Sequence, residues 1–216
     1  AFPRSVRVLA ALIETLLPPM DSAAPVLIAG LGSRSITPDA VGPHSADHVI
    51  ATRHLISRSP EFFASWRPVS VLAPGVLGQT GVETGEIVRG VLDHVRPRAV
   101  IAIDALAAGR LSRLVRTVQL ADTGIVPGSG VNNARAALDR QTLGVPVVSI
   151  GVPTVADGGS LAHEIAQQLD GAQCEALDDL SQPFIITTRD IDREVADTAR
   201  LIGYAVNMAL QHISVE

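Results

Sequence analysis

The sequence predicts an α/β protein with a mostly parallel central sheet between helical layers. Three observations predict it: short continuous apolar runs bounded by turn residues, helical apolar stripes between those runs, and the alternation of the two along the chain. Continuous runs, as opposed to alternating ones, mark strands covered on both faces, as a parallel sheet between helices requires.

The first expected element is an amphipathic helix, because Leu9, Leu12, Ile13 and Leu16 fall at helical spacing. The same segment superficially resembles a signal peptide, but Glu14 interrupts its apolar run and no small-residue cleavage site follows. Strands are expected at 25–29, 69–73, 99–103, 114–120, 145–150 and 184–187. Between the second and third, Ile87, Val88, Val91, Leu92 and Val95 form a helical stripe, which Thr80-x-x-Glu83 opens as a capping box. The last helix carries Ile191, Val195, Ala199, Ile202, Val206 and Leu210 on one face. With no internal repeat and no domain boundary, residues 1–216 are expected to form a single α/β domain, and the polar stretch 171–182 a surface loop.

Composition narrows the chemistry. Hydrophobic residues make up 47% of the 216 but aromatic ones only 3%, so Ala, Val, Leu and Ile must build the core. The net charge of −5 argues against an extended nucleic-acid-binding face. All 17 basic residues are arginines, and without lysine no Schiff base, Ser-Lys dyad or P-loop lysine is available. One cysteine, Cys174, excludes an intramolecular disulfide, fits a reducing cytoplasm, and reads as an incidental thiol in a polar stretch. No apolar run approaches the length needed to span a bilayer, so no membrane association is expected.

Ligands of open parallel sheets bind beyond the carboxyl ends of the strands, which directs attention to the loops at 30–43, 74–85, 104–109 and 122–133. Gly30-Leu31-Gly32 begins a dinucleotide-binding fingerprint, but its third glycine would fall at Ser35, and Pro38 and Pro43 do not suit a long phosphate-binding helix. Ser129 lies between Gly128 and Gly130, which is not a nucleophile elbow. The 6 histidines include no H-E-x-x-H, and His44 and His48, at helical i,i+4 spacing, lack a third ligand.

The acids remain. Asp39 lies in Ile36-Thr37-Pro38-Asp39-Ala40 and Asp104 in Ile101-Ala102-Ile103-Asp104-Ala105. Each has a structural explanation: Thr37 as N-cap with Pro38 opening a helix and Asp39 in its first turn, and Asp104 as N-cap of a helix over 105–111. On spacing alone, capping stands first. The chemical reading is that two carboxylates at neighbouring strand ends share a proton, one activating water and the other protonating a departing amine.

Taken together, these stretches resemble the germination proteases of spore-forming bacteria. The matching segments are GLGSRSITPDAVGP (30–43), ATRHL (51–55), VLAPGVLGQTGVETGEIVRGV (71–91), AVIAIDALAAGRLSRL (99–114), QLADTGIVPGSGV (119–131) and TLGVPVVSIGVPTVAD (142–157). The chain is also similar, more distantly, to the maturation endopeptidases of nickel hydrogenases. The resemblance implies a three-layer αβα sandwich of the hydrogenase-maturation-protease type. It further implies an endopeptidase that degrades small acid-soluble spore proteins at germination, in the cytoplasm of the spore core.

By the family's motifs, Asp39 and Asp104 are the catalytic pair, with no cofactor and no metal. The family also implies a homotetramer and a zymogen with a short propeptide. In the hydrogenase relatives the corresponding acids and a histidine bind nickel, but the loop at 122–133 holds no histidine. Family members carry a longer segment ahead of the first core strand, so a processed form or a shorter homologue is expected here. Arg53 and Arg89 are candidates to meet acidic substrate side chains, and the glycines at 75, 78, 81 and 85 suggest close backbone approach near the site. Two rival functions stand beside the aspartic peptidase: metal-assisted hydrolysis through Asp39, Asp104 and His54, and a binding domain without turnover.

Overall fold

The computed structural model describes residues 2–128, 135–159, 161 and 184–213. Ser129, Cys174, His163 and the loop expected at 171–182 lie outside the described residues. The helices are α1 (Phe2–Leu16), α2 (Val41–Asp47), α3 (Arg53–Arg58), α4 (Pro60–Phe63), α5 (Leu77–Thr80), α6 (Thr84–Val95), α7 (Arg140–Leu143) and α8 (Ile191–Gln211). The strands are β1 (Val26–Gly30), β2 (Val69–Leu72), β3 (Ala99–Ala107), β4 (Gln119–Ala121), β5 (Val147–Asp157) and β6 (Ile185–Ile186).

The sheet runs in the order β2-β1-β3-β5-β4, with β6 added beside the far end of β5. Strands β2, β1, β3 and β5 are parallel, and β4 and β6 pair antiparallel with β5. Successive strand residues face opposite sides, so each strand feeds two cores. Val26, Ile28, Ile101, Ile103, Val148 and Ile150 pack with α1, α2 and α8 on one face. Leu27, Ala29, Val100, Ala102 and Val147 pack with α6 and α7 on the other. A three-layer αβα sandwich results, as expected.

Several boundaries moved, each for a local reason. Strand β3 continues through Ala107 because Ala105, Leu106 and Ala107 keep pairing with β5, so Asp104 sits inside a strand and caps no helix. The expected strand at 114–120 contracts to β4, since 111–113 form a 3-10 turn and Val115 takes a positive φ of 52°. Helix α6 is capped one turn later than predicted: Glu83, not Thr80, is its N-cap, and the Glu83 N–H donates to the Glu86 carboxylate at 3.3 Å. Leu12 of α1 is 48% exposed, and the buried stripe is Val6, Leu9, Ala10 and Ile13. The predicted stripe of α8 holds, with Val195, Ala199, Ile202, Val206 and Leu210 all buried.

From β1 the chain crosses to β2 on one side and later to β3 on the other. The carboxyl ends of β1 and β3 therefore diverge at a topological switch point, where such sheets leave a crevice for ligands.

Candidate active site

Strand β1 ends at Gly30, and the Leu31 N–H makes the last rung of its ladder to the Ile103 carbonyl at 2.8 Å. The chain then leaves the sheet at Gly32, whose φ of +107° only glycine adopts readily. A 3-10 turn, Thr37–Asp39, follows and brings Asp39 back over the strand ends. Its N-cap is Ile36, not Thr37, and makes no side-chain cap. Close approach holds this turn down. A Cβ on Gly32 would lie 2.0 Å from the Asp39 carbonyl oxygen, and one on Gly42 would lie 2.2 Å from that of Leu31. Residues at 30, 32 and 42 therefore carry the tight backbone contact that was expected of the glycines at 75–85. Gly78 has open space where its Cβ would be.

Asp104 lies in β3 one residue beyond that last rung, opposite Gly151 of β5. Asp39 and Asp104 both line a cavity of about 650 Å³ at the switch point. The loop after β1, residues 76–84, the ends of β3 and β5, and Arg135 form its walls. Gln79 ties two of these walls together, donating to Ser33 Oγ at 2.9 Å and to Ser35 Oγ at 3.1 Å. An ion pair between Arg135 and Glu83, at 3.3 Å, joins two others.

The two carboxyls have unequal surroundings. Asp104 is only 4% exposed. Burial and then the nearby Asp39 charge push its pKa up to about 7, opposed by the Ala105 N–H that donates to Oδ1 at 2.9 Å. Asp39 is half-buried, and burial raises its pKa as well, but the Ser33 N–H donates to Oδ2 at 2.7 Å and favours the ionised form. Both carboxyls are thus drawn toward their protonated forms, Asp104 by deeper burial and the Asp39 charge, while the Ser33 N–H opposes the shift at Asp39.

The other nominated residues lie elsewhere. His54 is exposed on α3, His44 sits 3.6 Å from Asp47, and His48 packs edge-on against Tyr204. No histidine lines the cavity among the described residues, and none of them form a group of three or more His, Cys, Asp or Glu able to hold a metal ion. The described residues thus do not fit a three-ligand metal site. Arg53 and Arg89 reach main-chain carbonyls of His94 and Thr142 instead of the cavity. Arg135 and Thr154, neither of them singled out, line it together with Glu83, which was expected only in a capping box. Thr154 is the extra residue at a bulge between β3 and β5, and its buried hydroxyl has no hydrogen-bond partner among the described residues.

The family model for germination proteases matches residues 4–169. The chain belongs to the germination protease family. A germination protease of Caldanaerobacter subterraneus is 40% identical over 96% of this chain and 72% of its own length. That of Clostridium acetobutylicum is 37% identical over 89% and 67%. The Bacillus subtilis germination protease reaches 51% identity over 65% of this chain but only 39% of its own length. A solved [NiFe] hydrogenase maturation protease, HycI of Thermococcus kodakarensis, superposes with a TM-score of 0.47 at 17% identity, over 90% of this chain and 98% of its own. Family membership makes the protein a peptidase associated with spore germination. Among the described residues no helix is long and apolar enough to cross a membrane.

Proposed function

We propose that the chain is an endopeptidase that degrades small acid-soluble spore proteins at germination, with Asp39 and Asp104 as its catalytic pair. The observation that carries this reading is the sharing of one cavity by two carboxyls of unequal burial, within a chain of the germination protease family. Asp39, whose carboxylate accepts the Ser33 N–H, takes a proton from water as the water oxygen attacks the peptide carbonyl. Asp104 gives its proton to the amine nitrogen as the carbon–nitrogen bond breaks. The proton gained by Asp39 then passes to Asp104, directly or by exchange through solvent, and the cycle closes without a metal.

The same reading takes residues 1–216 as one peptidase domain, working as a homotetramer in the spore core and made as a zymogen. The experiment that tests it is cleavage of a purified small acid-soluble spore protein by the wild-type chain and by Asp39→Asn and Asp104→Asn. Each substitution abolishes cleavage, and treatment with a chelator leaves the wild-type rate unchanged. Full activity in both variants rules out the pair. Loss on chelation, restored by one divalent metal, transfers the chemistry to metal-assisted hydrolysis. Tight binding without cleavage at any pH leaves a binding domain.

A further inference from the structure

Strand β3 outruns its neighbour. β1 stops pairing at Gly30 opposite Ile103, yet β3 runs on through Asp104, Ala105, Leu106 and Ala107 while still paired with β5 on its other side. The direction of each main-chain group follows from the ladder. The Val100 N–H donates to the Pro146 carbonyl at 2.9 Å and the Ala108 N–H to the Val155 carbonyl at 2.7 Å, so even-numbered residues address β5. The Ile103 carbonyl accepts from Leu31, so odd-numbered residues address the β1 side. The Ala105 carbonyl and both main-chain groups of Ala107 therefore point to where β1 has ended. The Ala105 N–H is already turned to Asp104 Oδ1. Among the described residues nothing bonds the other three groups, although Ala105, Leu106 and Ala107 are half-buried and line the cavity. Half-buried backbone groups without partners are uncommon and call for one.

We propose that this unpaired edge of β3 holds the substrate polypeptide in extended form, as an added strand in the place β1 vacates. It rests on the peptidase reading above and names how that site grips its substrate. The chemistry of the edge selects the occupant. A carbonyl, an N–H and a second carbonyl, spaced at the two-residue repeat of a strand, match the main chain of another strand and not a compact small molecule. The edge also has a fixed end. Leu31 already occupies the Ile103 carbonyl, so an added strand runs along 105–107 and stops at Asp104, which brings its last peptide bond beside the two carboxyls. Because main-chain groups make the contact, recognition along this stretch depends on an unfolded, extended segment more than on particular side chains.

The test uses a short synthetic peptide from a small acid-soluble spore protein, spanning a cleaved bond. Amide nitrogens are N-methylated one at a time, and cleavage is measured for each. Methylation at alternate positions on one side of the scissile bond raises KM by about tenfold, whereas the intervening positions tolerate it. Ala107→Pro removes an N–H that the free protein leaves unbonded, at an edge that accepts proline, and it raises KM by a similar factor with Tm little changed. Should that variant fail to fold, amide hydrogen exchange on Asp104→Asn answers the same question: bound peptide slows exchange at Ala107. A peptide that is cleaved with Ala107 exchange unchanged and every methylated position tolerated overturns the added strand and leaves the peptidase reading intact. Protection of Ala107 in a wild-type chain that never cleaves the peptide keeps the edge and removes the peptidase. Neither protection nor cleavage overturns both.

Discussion

Asp39 and Asp104 share one cavity but not one environment: Asp39 accepts the Ser33 N–H at 2.7 Å, whereas Asp104 lies inside a strand and is 4% exposed. Burial is the largest influence on Asp104, the Asp39 charge the second. The order of these two causes can be tested. In Asp39→Asn the Asp104 titration midpoint moves below about 7 yet stays above the usual carboxylate range. Infrared spectroscopy of the carboxyl band across pH reads it directly. A midpoint that does not move means that the two groups do not interact.

Stability should depend on pH in a direction opposite to that of most carboxylates. Asp104 titrates at about 7 when folded and near 3.8 when unfolded, so between these values the folded chain holds the extra proton. Stability from this group is therefore full below about pH 4, falls as pH rises, and levels off above about pH 7, a loss on the order of 4 kcal/mol. The raised pKa of Asp39 acts in the same sense. Urea unfolding from pH 4 to pH 8 should show Asp104→Asn gaining on the wild type as pH rises. A constant difference between the two curves contradicts this assignment.

Backbone crowding under Asp39 separates two glycines that look alike in sequence. Gly32→Ala forces a positive φ on alanine and a Cβ into the Asp39 carbonyl, so it should cost at least about 2 kcal/mol and most of the activity. Gly78→Ala meets nothing within 4 Å and should be near neutral in thermal melts, although Gly78 also lines the cavity. Equal effects of the two substitutions would show that the tight turn does not hold Asp39.

The buried Thr154 hydroxyl has no partner among the described residues. Thr154→Val keeps the shape and removes the unsatisfied group, so it should stabilise the fold by about 1 kcal/mol. Thr154→Ser keeps the hydroxyl, loses the methyl and should destabilise. Calorimetry of both variants settles the point, and a destabilised valine variant means that the hydroxyl is bonded in the folded protein.

Much of the fold was legible because burial writes itself into residue type. The runs at 25–29 and 69–73 became β1 and β2 with small changes of boundary, the run at 99–103 became the start of a longer β3, and α8 kept its predicted face. Capping signals were less reliable. Thr37 and Thr80 carry the right residue types, but Ile36 and Glu83 occupy the cap positions, because a 3-10 turn and a shifted helix start are decided by neighbours distant in sequence. Arg53 and Arg89 illustrate the same limit. Their charge suggested substrate contact, and only packing shows that each reaches a main-chain carbonyl on another element.

The sequence by itself determined the layered α/β architecture, the absence of lysine and disulfide chemistry, and the two acids beside the ends of buried strands. Those are consequences of composition and period, which act locally. Tertiary structure alone decided that Asp104 belongs to a strand that outlasts β1, that Asp39 returns over it through Gly32, and that Asp104 is buried while Asp39 is half-buried and accepts the Ser33 N–H. The physical reason is that desolvation and charge coupling depend on distances between residues far apart in the chain. No local pattern encodes such distances.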